Sequence, residues 1–208
     1  MSLLLPLEIE TSASLVLDAL NKESIDVYRF LSERYLSVDP GADAVFQFMF
    51  RSFYRLDNAG LTPKFKQRYF DLMQDAKEAG RADLVSIVKE LWKFPNRKGQ
   101  QSLQFSFATK LAATVDPRLP IYDAEVASLF GFQPPHPSKP FEVRLDTYLS
   151  FYCKLRRLYE QTLTNNQLNF TRTLFREKFT CNEAQVSEQK ALDFIFWAAG
   201  KRSKARAQ

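Results

Sequence analysis

The chain has 208 residues, a formal net charge of +5, and a composition that is 45% hydrophobic and 25% charged, long enough to bury a sizeable core. One histidine and two cysteines, Cys153 and Cys181, argue against a zinc site, a Ser-His-Asp triad or a disulfide framework. No run of 18 apolar residues occurs, so no membrane span is expected.

The opening "MSLLLPLEIE" lacks a basic start and meets Pro6 and Glu8 early, which makes a poor signal peptide. "TSASLVLDALNKES" predicts a helix starting after Thr11 or Ser12, with Leu15, Val16, Ala19 and Leu20 on one stripe. "ESIDVYRFLSERYL" repeats the helical period with Ile25, Tyr28, Leu31 and Tyr35. "GADAVFQFMFRSFYRL" is apolar nearly all round through Val45, Phe46, Met49, Phe50 and Phe53, as expected of a central core helix. In "LTPKFKQRYFDLMQDAKEAG", Thr62 before Pro63 marks a start and Gly80 a stop. "RADLVSIVKELWKF" then runs to a break at "PNRKG".

From Ser102 to Val115 an apolar stripe of Leu103, Phe107, Ala108, Leu111, Ala112 and Val115 predicts an amphipathic helix. Ser102, Ser106, Thr109, Lys110 and Ala113 fall on its other side, where Lys110 could meet a phosphate or simply face solvent. Leu119 before Pro120 is held away from helical angles, so "DPRLPIY" reads as an extended turn. Asp123 then stands at the N-cap of "DAEVASLFGF". "QPPHPSKP", near 133–140, is either a joint between two lobes or a surface loop, and its shortness favours the loop. His136 within it reads as solvated. The remainder is helical again, with Arg156 and Arg157 turned outward, and "KRSKARAQ" (201–208) reads as a basic disordered tail. The fold class expected is all-α, with about nine or ten helices in a single domain over 1–200.

Charge is unevenly placed. Residues 1–40 carry a net −4, residues 41–140 a net +4 and residues 141–208 a net +5, of which the tail supplies +4. The body is therefore nearly neutral, and the asymmetry says more about a polyanionic partner than the total does. Arg97, Lys98 and Gly99 precede the Ser102–Val115 helix, where cations beside helix-start amides make a candidate phosphate site. Trp92 and Phe94 could stack on a base or pack in the core. The two thiols read as buried small hydrophobes in a reducing cytoplasm.

A helix, a short turn and an apolar-apolar-Asp-x-x-apolar helix start, here "IYDAEV", resemble the active-site region of helix-hairpin-helix base-excision DNA glycosylases over about 30 of the 208 residues. The resemblance implies DNA as partner and Asp123 in the place of the catalytic carboxylate; no cofactor or metal is expected. Aligning Ala108 on the family's inward-packing small residue puts Ser106 at the step of the nucleophilic lysine, with Lys110 one turn later on the same face. The family's Gly-x-Gly hairpin would fall near Ser102 to Gln104, where "SLQ" has no glycine and Gly99 is the nearest. "FATKL" followed by "PIYD" also resembles a group of uncharacterised bacterial proteins sharing both pieces. The expectation is a DNA-binding, glycosylase-like protein with Asp123 and Lys110 at its centre; the alternative is a non-enzymatic helical interaction module that binds through exposed aromatics.

Overall fold

Five helices start where a short polar side chain accepts a backbone amide of the first turn. Asn21 accepts Ser24 N for α3 (Lys22–Ser37), and Asp43 accepts Phe46 N for α4 (Ala44–Phe53). Thr62 accepts Phe65 N for α5 (Pro63–Glu78), and Asp83 accepts Val85 N and Ser86 N for α6 (Leu84–Trp92). Asp123 accepts Glu125 N at 2.9 Å for α8 (Ala124–Leu129). Each satisfies an amide that has no partner inside its helix. Thr62→Ala is expected to lower stability by about 1 kcal/mol, read as a shift in the urea midpoint at constant slope.

These helices belong to a computed structural model that describes residues 4–206. Among them are eleven α-helices and one 3-10 turn, Leu56–Ala59, with no strand. The others are α1 (Leu4–Thr11), α2 (Ala13–Leu17), α7 (Phe105–Val115), α9 (Phe141–Thr164), α10 (Asn169–Phe179) and α11 (Glu188–Arg206). The all-α class is as expected. No helix among the described residues is long and apolar enough to cross a membrane.

Buried residues from Ile9 to Ala199 form one hydrophobic cluster. Phe46 and Phe50 of α4 meet Phe70 of α5 edge-on, at 6.3 and 5.7 Å between ring centres, the arrangement ring quadrupoles favour. A second aromatic group, Phe105, Tyr122, Tyr148 and Phe151, joins α7 and α9 across the segment before α8. Gly80 ends α5 at φ +65°, letting Arg81 N reach Ala76 O at 3.1 Å, a left-handed stop that glycine adopts without strain.

Several elements depart from the sequence expectation. A helix not expected from the sequence runs over Leu4–Thr11, from the first described residue, and accommodates Pro6 near its beginning. The Thr11–Leu20 stripe does not form one helix: α2 stops at Leu17, and Leu15 is exposed while Val16 and Leu20 are buried. Val45 also faces solvent, leaving Phe46 and Phe50 as the core positions of α4. The Pro-rich stretch 133–140 is a loop between α8 and α9, flanked by Phe132 and Phe141, which both pack on the core. His136 is exposed there and pairs with Ser138.

The basic tail is helical as far as it is described. Residues 201–206 continue α11, whose Lys204 ammonium lies 2.9 Å from Glu125 of α8; residues 207–208 lie outside the described residues. Lys, Arg and Ala are good helix formers, and cations suit a helix C-terminus. Cys181 is buried as expected, but Cys153 is exposed, on the outer face of α9 between buried Tyr152 and Leu155.

Candidate functional site

The segment between α7 and α8 runs extended, and three helices pin it. Tyr152 of α9 donates its hydroxyl to Pro120 O at 2.9 Å. Asp193 of α11 accepts Ile121 N at 3.1 Å, and Thr109 of α7 accepts Tyr122 N at 3.1 Å through its hydroxyl. Proline at 120 presets the extended path, and side chains supply the partners that a helix or sheet would otherwise give these buried backbone groups. Asp123 emerges from this strut, half-buried, as the cap of α8.

Thr109 therefore belongs to the interior. The sequence places it on the polar face of α7, but it is fully buried, and its hydroxyl also donates to Ser106 O at 3.0 Å. The apolar stripe itself is as expected, with Phe107, Ala108, Leu111 and Ala112 buried. Phe105 joins them through its contacts with Tyr122 and Tyr148.

Lys110 is half-buried on the next step of α7. Its Nζ lies 5.1 Å from the centre of the Phe107 ring and 5.6 Å from that of Tyr54. Burial pushes its ammonium down to about 8, partly opposed by the Asp123 carboxylate and assisted by the cations of Lys190 and Arg55. Lys110 and Asp123 thus share one electrostatic neighbourhood without a direct ion pair between them. Ser106, half-buried, lies one helical turn before Lys110.

Two residues that belong to no motif in the sequence complete the cluster. Lys190 and Asp193, one turn apart on α11, are both buried and pair at 3.3 Å. Asp193 also accepts the Tyr159 hydroxyl at 2.9 Å. Burial raises its carboxyl above the usual range against the opposing pull of Lys190, the Ile121 amide and Tyr159. Lys190 Nζ lies 4.9 Å from the Tyr28 ring, 5.1 Å from Phe194 and 6.0 Å from Tyr54. The Tyr54 ring thus has an ammonium near it from each of Lys110 and Lys190. The available signal was Asp193 itself, a lone acid in the apolar run "ALDFIFWAAG".

The loop carrying Arg97, Lys98 and Gly99 is exposed, but it has no amide to offer an anion. Asn96 N donates to Gln100 O, Arg97 N to Gly60 O and Gly99 N to Asn96 O. Lys98 N and Gln100 N both donate to the Asn96 side chain. α7 begins only at Phe105, and the amides of Asn96 to Gln100 close an internal turn, so an anion at this loop would meet the Arg97 and Lys98 side chains rather than these amides. The Arg97 side chain donates Nε to Leu61 O at 3.2 Å. Trp92 packs against Phe141, ring centres 4.7 Å apart, with the Arg144 guanidinium 5.7 Å away, and Phe94 packs on the core.

Among the described residues, no group of three or more His, Cys, Asp or Glu side chains could hold a metal ion. Chemically, the cluster offers an amine that deprotonates near neutrality, a fixed carboxylate beside it, and a second buried cation. No protein-family model matches this chain, and neither a curated protein nor a solved structure matches it.

Proposed function

We propose that the chain engages DNA and acts as a glycosylase-like hydrolase, with Lys110 and Asp123 as its reacting groups. The observation that carries this reading is the desolvated Lys110 amine, with a pKa near 8, in the field of a carboxylate fixed at a helix start. A neutral amine is a nucleophile, whereas an exposed lysine at neutral pH is almost wholly protonated. Asp123, held by its cap bond, stabilises the positive charge that develops on a sugar as its glycosidic bond breaks, or orients a water for attack. Exposed Arg97 and Lys98 are counter-charges for DNA phosphates through their side chains.

Incubation with abasic-site DNA and borohydride tests the amine. The ring-opened sugar aldehyde and Lys110 lose water to form an imine, and hydride reduces it to a stable secondary amine. Wild type is expected to give a covalent adduct and Lys110→Ala none, while Lys190→Met retains it. The trapping rate should rise with pH through about 8, where the amine is half deprotonated, and level off about one to two units above it. Lys190→Met removes a neighbouring cation, so its plateau should begin at higher pH. A full-strength adduct from Lys110→Ala would remove Lys110 from the chemistry. Asp123→Asn keeps a capping side chain, so it should fold while losing excision. DNA retention is measured separately as a function of salt, and no retention at low salt would overturn the DNA partner.

A second reading, a non-enzymatic interaction module, is favoured by Phe48 and Val45, exposed at 60% and 56% and one turn apart on α4. It predicts binding of a protein partner that is lost in Phe48→Ser and unaffected by Lys110→Ala.

A further inference from the structure

Two cationic side chains are buried among the described residues, Lys190 and Arg144. Lys190 has Asp193 beside it at 3.3 Å. Arg144, 9% exposed, has no counter-ion and no hydrogen-bond acceptor for its side chain among the described residues. Its Nε is sealed from solvent, whereas the two terminal nitrogens keep access to the surface. The Trp92 ring, 5.7 Å from the guanidinium, offsets part of the lost hydration but leaves the N–H donors unpaired. A charge buried this deeply normally has a partner, and an anion brought to the terminal nitrogens would supply it.

Arg144 lies in the first turn of α9, and a helical side chain leans toward the N-terminus of its own helix. Trp92 holds it there, because the same ring packs on Phe141, the first residue of α9, at 4.7 Å. The helix starts after Pro140, whose side chain cannot cap it, and the amides of Phe141, Glu142 and Val143 take no acceptor from the protein. The guanidinium and the uncapped start of a 24-residue helix therefore stand at one place. Both favour an anion.

The surrounding charges agree. Lys89 of α6 and Lys139, exposed just before α9, add positive charge, and Glu142 opposes it with its carboxylate 3.7 Å from Lys89. Lys93 is taken by Glu90, and Asp146 stands two positions past Arg144, on the other side of α9. The balance at the helix start is positive. A guanidinium fork takes two oxygens of an oxyanion, and the helix amides call for a further one, which a tetrahedral phosphoryl group has and a carboxylate lacks. We propose that Arg144 and the first turn of α9 form a binding site for a phosphoryl group. That group comes from the DNA backbone, in which case the proposal rests on the DNA reading above, or from a small phosphate ester.

Calorimetric titration of the full chain with inorganic phosphate at constant ionic strength tests the site, with acetate as the carboxylate control. Saturable one-to-one binding of phosphate is expected, and acetate should be weaker by about tenfold or more. Arg144→Met keeps an apolar stem over Trp92 and removes the unpaired charge, so it should raise the melting temperature of the free protein while abolishing phosphate binding. Arg144→Lys keeps the charge without the fork and should weaken phosphate by about tenfold. Salt-dependent DNA retention identifies the source. Arg144→Met should lower the salt slope by about 1 where the group is a DNA phosphate, and leave it unchanged where it is a small ester. A chain that retains no DNA but still binds phosphate through Arg144 would count against the DNA reading alone. The proposal is overturned by any of three results: no saturable binding of phosphate, undiminished binding by Arg144→Met, or acetate binding as tight as that of phosphate.

Discussion

Gly200→Ala is expected to destabilise the protein by about 3 kcal/mol, although alanine is the better helix former by about 1 kcal/mol. Gly200 lies inside α11 where that helix crosses α8. A Cβ built there would stand 2.4 Å from the Glu125 carbonyl oxygen and 2.8 Å from its carbonyl carbon. Both are backbone atoms, so no side-chain rotation relieves the clash. Relief requires α8 to move as a body, and α8 is the helix that Asp123 caps. The variant should therefore lose stability in urea, and by moving Asp123 away it should shift the rise of Lys110 trapping to lower pH. Ser203→Ala, exposed three residues later on the same helix, is the control and should change stability by less than about 0.5 kcal/mol. A Gly200→Ala protein as stable as wild type would mean that α11 and α8 do not cross this closely.

The helices were legible because their apolar residues recur at helical period and because their starts carry polar caps. Thr62 and Asp123 are the clearest cases, each predicted as a cap and each accepting a first-turn amide. Legibility failed where tertiary contacts decide the outcome. Thr109 looks like a surface hydroxyl in sequence, yet its partner is the Tyr122 amide, thirteen residues away in a strut whose path only the fold defines. The tail looks disordered by charge alone, but Gly200 against Glu125 and Lys204 beside it hold α11 in register through Arg206. The Arg97–Gly99 loop looks like a phosphate cradle by composition, but Asn96 takes up the Lys98 and Gly99 amides, and no residue count reveals that.

The candidate site divides in the same way. Lys110 and Asp123 lie 13 positions apart and on successive helices, so their proximity could be expected from a short connection. Lys190 and Asp193 lie some 70 positions further on, and nothing local indicates that they return to the same place. Their arrival is a property of the α8–α11 crossing, which leaves Asp193 within reach of Ile121 N.

Asp193→Ala is expected to cost about 3–5 kcal/mol, the largest loss of any single polar substitution proposed for this chain, because it breaks a buried pair from one side. Three donors lose their acceptor at once: the Ile121 amide, the Tyr159 hydroxyl and the Lys190 ammonium. Lys190 would be left charged and 6% exposed among aromatic rings. Asp193→Asn separates the two roles. An amide oxygen can still accept from Ile121 and Tyr159, but its NH2 end faces Lys190 as a second donor. It should therefore keep the strut in place at a smaller cost, about 1–3 kcal/mol. Adding Lys190→Met to Asp193→Ala removes the stranded charge, so the double variant should be more stable than the sum of the two singles by about 2 kcal/mol. Urea unfolding of the four proteins in that cycle measures the coupling, and strict additivity would show that the two groups do not act as a pair. The pH axis gives an independent check through Lys110. Its folded value near 8 lies below the ordinary lysine value of 10.5, so the unfolded chain binds more protons between the two. The contribution of Lys110 to stability must then rise with pH across that window, and it should vanish in Lys110→Met. Asp193→Ala, by freeing the strut that carries Asp123, should move that window, whereas Asp193→Asn should leave the Asp123 carboxylate where it is.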